Sequence, residues 1–211
     1  MLTDYFKSKT VFLIEATLLI FFLLLIEKII PAWHTYRYWL MFASLAYIGL
    51  FVLSRPQIGQ SLGLQRKNFR PSVNDLVWPT LYAAVSIVAL SLLFPANDVF
   101  PFIILGVRLA PFWFSVFRYI VVSVPLQEII FRSFLINRSA LVIKNKLLLQ
   151  AYAALIFMLM HFSFKTSILI AGTLILGWIW SGNFIKYRNV YSVALSHIAV
   201  GLTYIIFMYL N

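Results

Sequence analysis

The chain has 211 residues, 63% of them hydrophobic and 11% charged, whereas a soluble domain carries roughly 25% charged residues. A fold of this size cannot hide so much apolar surface from water, so the composition excludes a soluble enzyme. The net charge of +11 does not indicate a nucleic-acid-binding protein, because the basic residues lie in short loops between apolar runs and form no patch interleaved with aromatic residues.

The apolar runs predict an all-α fold, a polytopic bundle of about seven (six to eight) transmembrane helices around a buried polar cavity. Residues 1–211 are expected to form a single integral membrane domain. Each run is near the roughly twenty residues that a helix needs to cross the hydrocarbon. In chain order the predicted spans are Val11–Ile30, Tyr38–Leu53, Asp75–Phe94, Phe112–Ile136, Leu147–Phe162, Thr166–Gly182 and Val190–Leu210.

The first apolar run and the segment between the third and fourth spans raise separate questions. The first run follows Lys7 and Lys9 and is longer than the apolar part of a signal peptide, so we expect it to remain as a span. For the segment Val99–Leu109 three possibilities stay open, namely a re-entrant piece, an interfacial piece or part of an eighth span.

The distribution of Lys and Arg between alternate loops predicts the orientation. With the N-terminus in the cytoplasm, most of the basic loop residues fall inside: Lys7, Lys9, Arg55, Arg66, Lys67, Arg70, Arg138, Lys144, Lys146, Lys186 and Arg188. Lys28, Arg37, Arg108 and Lys165 fall outside. Five tryptophans near predicted span ends are expected to form aromatic belts: Trp33, Trp39, Trp78, Trp113 and Trp180.

The fourth span contains the densest group of polar residues. Ionisable groups inside a membrane are costly, so each of them is a functional candidate. Glu128 and Arg132 are four residues apart on one helical face and are expected to pair. Gln127 is rotated by about 100° from Glu128 and can face a neighbouring cavity. A structural ion pair between helices is the alternative interpretation of Glu128 and Arg132.

Two histidines in later spans add to this group. His161 ends the run from Phe157, and His197 follows Ser196 in the last span. Histidine is the usual proton carrier near neutral pH, although either residue can instead be a hydrogen-bonded packing residue. Three spans would thus offer polar groups to one interior, which is the arrangement of an active site buried in a bundle.

The order of these elements resembles the CAAX-protease and bacteriocin-processing (CPBP/Abi) family of intramembrane peptidases, which includes the Ras-converting type of prenyl endopeptidase. That family carries Glu-Glu-x-x-x-Arg, then Phe-x-x-x-His, then His-x-x-x-Asn on successive helices. Here Gln127–Arg132, Phe157–His161 and His197–Gly201 are similar to the three motifs in that order. The resemblance covers roughly residues 60–211 and includes Ser61–Leu64 and the closing helices from Gly172 to Gly201.

The resemblance implies an intramembrane endopeptidase that cleaves a membrane-associated peptide or lipidated protein tail by glutamate- and histidine-assisted attack of water. Its candidate catalytic residues are Glu128, His161, His197, Gln127 and Arg132. The chain departs from the family at two positions, with Gln127 for a glutamate and Gly201 for an asparagine. A carboxamide cannot serve as a general base. The alternative is therefore a non-catalytic membrane binding or immunity protein.

The predicted chemistry needs no cofactor. If a metal were bound, Glu128, His161 and His197 would be its ligands, as in zinc sites with two histidines and a glutamate. The resemblance favours a metal-free mechanism, and no His-Glu-x-x-His is present. The expected partners are the lipid bilayer and the peptide or lipidated substrate, with no nucleic acid. The expected location is the bacterial cytoplasmic membrane, with the N-terminus in the cytoplasm.

Overall fold

The computed structural model describes residues 2–29, 33–54, 62–94, 111–162 and 166–210. These ranges are 88% helical and contain no strand, which confirms the all-α prediction. Their eight helices are α1 (Leu2–Lys7), α2 (Lys9–Ile29), α3 (Trp33–Leu53), α4 (Phe69–Leu93), α5 (Phe112–Ser139), α6 (Lys146–Leu159), α7 (Ser167–Tyr187) and α8 (Val190–Leu210). The segment Val99–Leu109 lies outside the described residues.

All of the described helices except α1 overlap a predicted span, although α3 begins earlier and α7 ends later than predicted. The protein is an integral membrane protein. Within the described ranges α4, α5, α7 and α8 are long and apolar enough to cross a membrane, while α6 is a shorter apolar helix. The boundary of α4 differs from the prediction, because the helix begins at Phe69 and not at Asp75. Pro71 lies in the first turn of α4. Backbone N–H groups in the first turn have no hydrogen-bond partner within the helix, so a proline there does not interrupt the helix.

The bundle is built around two extensively packed helix pairs, α4 with α8 and α6 with α7. The first and middle parts of α5 contact α8, and its last part contacts α6, so that α5 lies between the two pairs. The core where they meet is rich in large aromatic side chains, including Phe131 of α5, Phe157 of α6, and Trp180 and Phe184 of α7. Polar groups that α5 and α8 contribute at this level are therefore shielded from lipid by rings.

Helix α5 is not a regular α-helix. It widens into π-helical turns over Tyr119–Ser123 and again over Ile129–Phe134, on either side of the α-helical stretch Val124–Glu128. Pro125 lacks an N–H and cannot close an ordinary helical turn, which favours the wider turn before it. π-Helical turns inside α-helices are frequent at functional sites, and here two of them flank the most polar part of the span.

Hydrogen bonds and an ion pair connect several helices at one end of the bundle. The backbone N–H of Val190, at the start of α8, donates to the carbonyl of Gly63. Arg188, in the α7–α8 turn, donates to Asn137 near the end of α5. Lys186 pairs with Asp75 of α4 at 2.7 Å. The start of α4, the end of α5 and the α7–α8 turn thus lie at one end, as the alternating topology requires. That this end faces the cytoplasm remains a prediction.

A partly buried ion pair near the same end attaches α2 to α5. Nη2 of Arg138 lies 2.6 Å from Oε2 of Glu15, and the hydroxyl of Tyr47 in α3 donates to the other oxygen of that carboxylate. The guanidinium also lies over the rings of Phe6 and Phe12. Glu15 therefore serves as an attachment between helices, at a position separate from the polar residues in the middle of α5.

Candidate active site

Glu128 of α5 and His197 of α8 form a buried hydrogen bond. Oε1 of Glu128 lies 2.7 Å from Nδ1 of His197, and the two residues are 1% and 6% exposed. An ionised carboxylate can only accept, so Nδ1 carries the hydrogen in this pair. The other ring nitrogen, Nε2, is then the one that can take up or release a proton.

Arg132 occupies the other side of the same carboxylate. Its Nε lies 3.4 Å from Oε2 of Glu128, so the predicted ion pair is present, and both side chains are buried. The guanidinium lies 4.3 Å from the centroid of the Phe157 ring and 5.5 Å from that of Trp180. Among the described residues its nitrogens have no hydrogen-bond partner. The arginine is thus stabilised by one carboxylate and two aromatic faces.

The imidazole of His197 is enclosed by aromatic rings. Trp180 lies nearly parallel to it, with centroids 4.5 Å apart and an interplanar angle of 32°. Phe157 and Tyr119 meet it edge to face, with centroids 5.8 and 6.0 Å away. Rings on several sides and a carboxylate at Nδ1 leave the imidazole little freedom to turn.

The position of Trp180 contradicts its assignment to an aromatic belt. It is 2% exposed, and its Nε1 donates to Oγ of Ser196, which also bonds the hydroxyl of Thr80 at 2.6 Å. Trp39, Trp78 and Trp113 are largely exposed, as a belt requires. The belt prediction failed for Trp180 because α7 continues to Tyr187, which puts this residue two turns inside the helix.

His161 lies just beyond the end of α6. Its Nδ1 is 2.9 Å from the carbonyl oxygen of Phe157, and its ring contacts that of Phe157 at 4.8 Å between centroids. Because the Phe157 ring also contacts His197, one aromatic side chain lies against both imidazoles. Phe157 is about 16 Å along α6 from Lys146, and Glu128 is about as far along α5 from Ser139. His161 is therefore one turn beyond the level of the Glu128–His197 pair.

Gln127 and Gly201 are the two residues that depart from the family motifs, and each has close neighbours on α5. Nε2 of Gln127 donates to Oγ of Ser123, and its buried Oε1 has no hydrogen-bond partner among the described residues. At Gly201 a Cβ atom would lie 1.8 Å from the hydroxyl oxygen of Tyr119. The space that a larger residue at 201 would need is filled by that phenol.

Comparison with known proteins gives a family match over the segment that contains this site. Residues 108–203 match the family described as Type II CAAX prenyl endopeptidase Rce1-like. Over those residues the chain is similar to the CAAX endopeptidase family. The match runs from before α5 into α8 and includes Glu128, Phe157, His161 and His197, and it confirms the family resemblance. No curated protein and no solved structure matches the chain.

The residues of this site do not fit a bound metal. Within the described ranges no three His, Cys, Asp or Glu side chains are gathered as ligands. Of the three that the sequence suggested, Glu128 and His197 are bonded to each other, and Nδ1 of His161 faces its own backbone. We therefore derive no step through a metal.

Tyr119 is the residue of this site that sequence reasoning missed. Its hydroxyl donates to the carbonyl of His197 at 3.1 Å. A signal was present, because Tyr119, Ser123 and Gln127 are polar residues spaced by four in an otherwise apolar span. That spacing predicts a polar stripe on α5, of which only Gln127 was recognised.

Proposed function

We propose that the chain is an active intramembrane endopeptidase that hydrolyses a peptide bond near the end of a membrane-associated, lipid-bearing protein tail. The observation that carries the proposal is the buried hydrogen bond between Glu128 and His197, within the segment that matches the CAAX endopeptidase family. A carboxylate that orients an imidazole is a recurring device for activating a nucleophile.

In the proposed reaction His197 is the general base. Its Nε2 takes a proton from water while the water oxygen attacks the carbonyl carbon. The tetrahedral intermediate then collapses, the C–N bond breaks, and the same nitrogen returns the proton to the leaving amine. Glu128 accepts from Nδ1–H throughout, which holds the ring and stabilises the imidazolium that forms. A positioned general base of this kind contributes about 10²–10⁴ in rate.

This assignment differs from one in which Glu128 itself activates the water. Both carboxylate oxygens of Glu128 face positive or donating groups, since Oε1 bonds His197 and Oε2 lies beside Arg132. The geometry therefore favours Glu128 as the group that orients His197 and Arg132 as the counter-charge of Glu128.

Gln127 and His161 have supporting parts in the proposal. The buried Oε1 of Gln127 is an acceptor without a partner in the described part of the chain, and such a group favours a bound donor. A water molecule or a substrate amide N–H would satisfy it. His161, across the Phe157 ring from His197, is the candidate donor to the oxyanion. Since its Nδ1–H is donated to the carbonyl of Phe157, it would donate from Nε2 in the protonated form.

Cleavage of a synthetic tail tests the proposal. The purified protein, reconstituted in liposomes, is given a prenylated peptide with a fluorophore and a quencher on either side of the predicted bond. We expect cleavage by the wild type, loss of cleavage in His197→Ala, and cleavage retained in Glu15→Gln, which removes a carboxylate of the other ion pair. A wild-type protein that leaves this peptide and a panel of lipidated tails intact would overturn the proposal.

One observation favours a second candidate, a binding protein that has lost proteolysis, because position 127 carries a carboxamide where the family has a carboxylate. Replacing Gln127 by Glu separates the two. A large gain of cleavage in Gln127→Glu from a silent parent supports the binding protein, and unchanged cleavage from an active parent supports the peptidase. Gly201→Asn cannot be added alone as a restoring change, because its side chain would collide with Tyr119.

A further inference from the structure

The contact between Gly201 and Tyr119 is much closer than ordinary packing. A Cβ atom at 201 would lie 1.8 Å from the phenolic oxygen of Tyr119, 2.2 Å from Cζ and 2.6 Å from Cε1. Real Cβ atoms do not approach other atoms below 3.0 Å. Position 201 must therefore be glycine to leave space for the Tyr119 ring. The side chain of any other residue would force that ring to move.

The ring that uses this room contacts His197 in two ways. The Tyr119 hydroxyl donates to the backbone carbonyl of His197 at 3.1 Å, and the ring stands at 83° to the imidazole. Glu128 fixes the imidazole at Nδ1, and Trp180 and Phe157 cover it from α7 and α6. Tyr119 adds the contact from the first half of α5, at the start of the π-helical turn Tyr119–Ser123.

We infer that Tyr119 is a positioning residue for His197 and that it works as a unit with Gly201, which supplies the space for its phenol. Its hydroxyl bonds the backbone at His197, and its ring limits rotation of the imidazole away from Glu128. For its effect on turnover the inference rests on the proposed function, but the enclosure of His197 can be measured without any activity.

The first test measures how fast diethyl pyrocarbonate modifies His197, followed by mass spectrometry of the protein in liposomes. Gly201→Ala should displace the ring and raise the rate of modification by roughly fivefold to tenfold, the equivalent of one lost hydrogen bond. Gly172→Ala is the matched control, because that helical glycine has nothing within 4 Å of the new Cβ and the rate should not change.

A double variant shows whether the two residues act together. In Tyr119→Ala the modification of His197 should already be fast, and adding Gly201→Ala should change it little. Equal increments from Gly201→Ala in both backgrounds, or no increment in the wild-type background, would overturn the inference. These outcomes do not depend on whether the protein cleaves a peptide.

The second test separates positioning from general stability. Tyr119→Phe keeps the ring and removes the hydroxyl, and it should lower kcat about fivefold with KM unchanged. A change in KM alone would contradict a role through His197. If the wild type cleaves nothing, the proposed function has failed, and the modification rates still decide the role of Tyr119.

Discussion

Nδ1 of His197 lies 2.7 Å from Oε1 of Glu128, which joins α8 to α5 through a hydrogen bond in the middle of the bundle. The same carboxylate has Arg132 at its other oxygen, and the aromatic rings of Phe157 and Trp180 cover both the guanidinium and the imidazole. A carboxylate, a guanidinium and an imidazole thus share one enclosure, and removal of any member has consequences for the others.

Removal of Arg132 should destabilise the fold strongly. Arg132→Met leaves Glu128 buried without its counter-charge, and breaking a buried pair in this way costs about 3–5 kcal/mol of unfolding free energy. Unfolding in detergent measures the loss. The double variant Glu128→Gln, Arg132→Met should regain much of it, because no buried charge is left over.

The ion pair between Lys186 and Asp75 provides the control for this prediction. Both side chains are well exposed, and exposed pairs contribute about 0–1 kcal/mol. Lys186→Met should therefore have little effect on unfolding. If Arg132→Met were no more destabilising than Lys186→Met, the prediction that breaking the buried pair strongly destabilises the fold would be wrong.

The Phe157 ring should matter for both stability and turnover. Phe157→Leu removes the aromatic face under Arg132 and the ring between the two imidazoles. The lost cation–π contact alone is about 0.5–2 kcal/mol. We expect a lower midpoint of thermal unfolding and a slower cleavage rate. The same substitution at the lipid-exposed Phe117 should change neither quantity, and equal effects at both positions would refute this role for Phe157.

The pair of Glu15 and Arg138 should matter for stability but, unlike the active-site pair, not for cleavage. It attaches α2 to α5 away from His197, so Glu15→Gln and Arg138→Met should lower the unfolding free energy. Cleavage per folded molecule should stay at the wild-type value below the unfolding temperature. A fall in kcat comparable with that of Glu128→Gln would show that the two ion pairs are coupled. It would contradict the claim that the Glu15–Arg138 pair has no part in cleavage.

Hydropathy and local spacing were sufficient to predict the helices and one of the ion pairs. The spans follow from the length of apolar runs, and the Glu128–Arg132 pair follows from a spacing of four on one helix. The contact between Glu128 and His197 could not be predicted in this way. It depends on how α5 and α8 are rotated, and the π-helical turns of α5 change which side chains share a face.

The surroundings of His197 were harder still to foresee. Trp180 was assigned to the membrane surface because it is near the end of an apolar run, but α7 extends past that run and the indole lies in the core. The importance of Tyr119 depends on the absence of a side chain at Gly201, in a helix far away in sequence. Close approaches of this kind are properties of packing and leave no local pattern.

A double-mutant cycle on the cleavage rate tests the central claim, that Glu128 and His197 act as one catalytic unit. The rates of Glu128→Gln, His197→Ala and the double variant are compared in liposomes with equal amounts of folded protein. We expect each single variant to lose about 10²–10⁴ in kcat and the double variant to be no slower than the worse single one. A double variant slowed by the product of the two single effects, or wild-type turnover in His197→Ala, would contradict the claim.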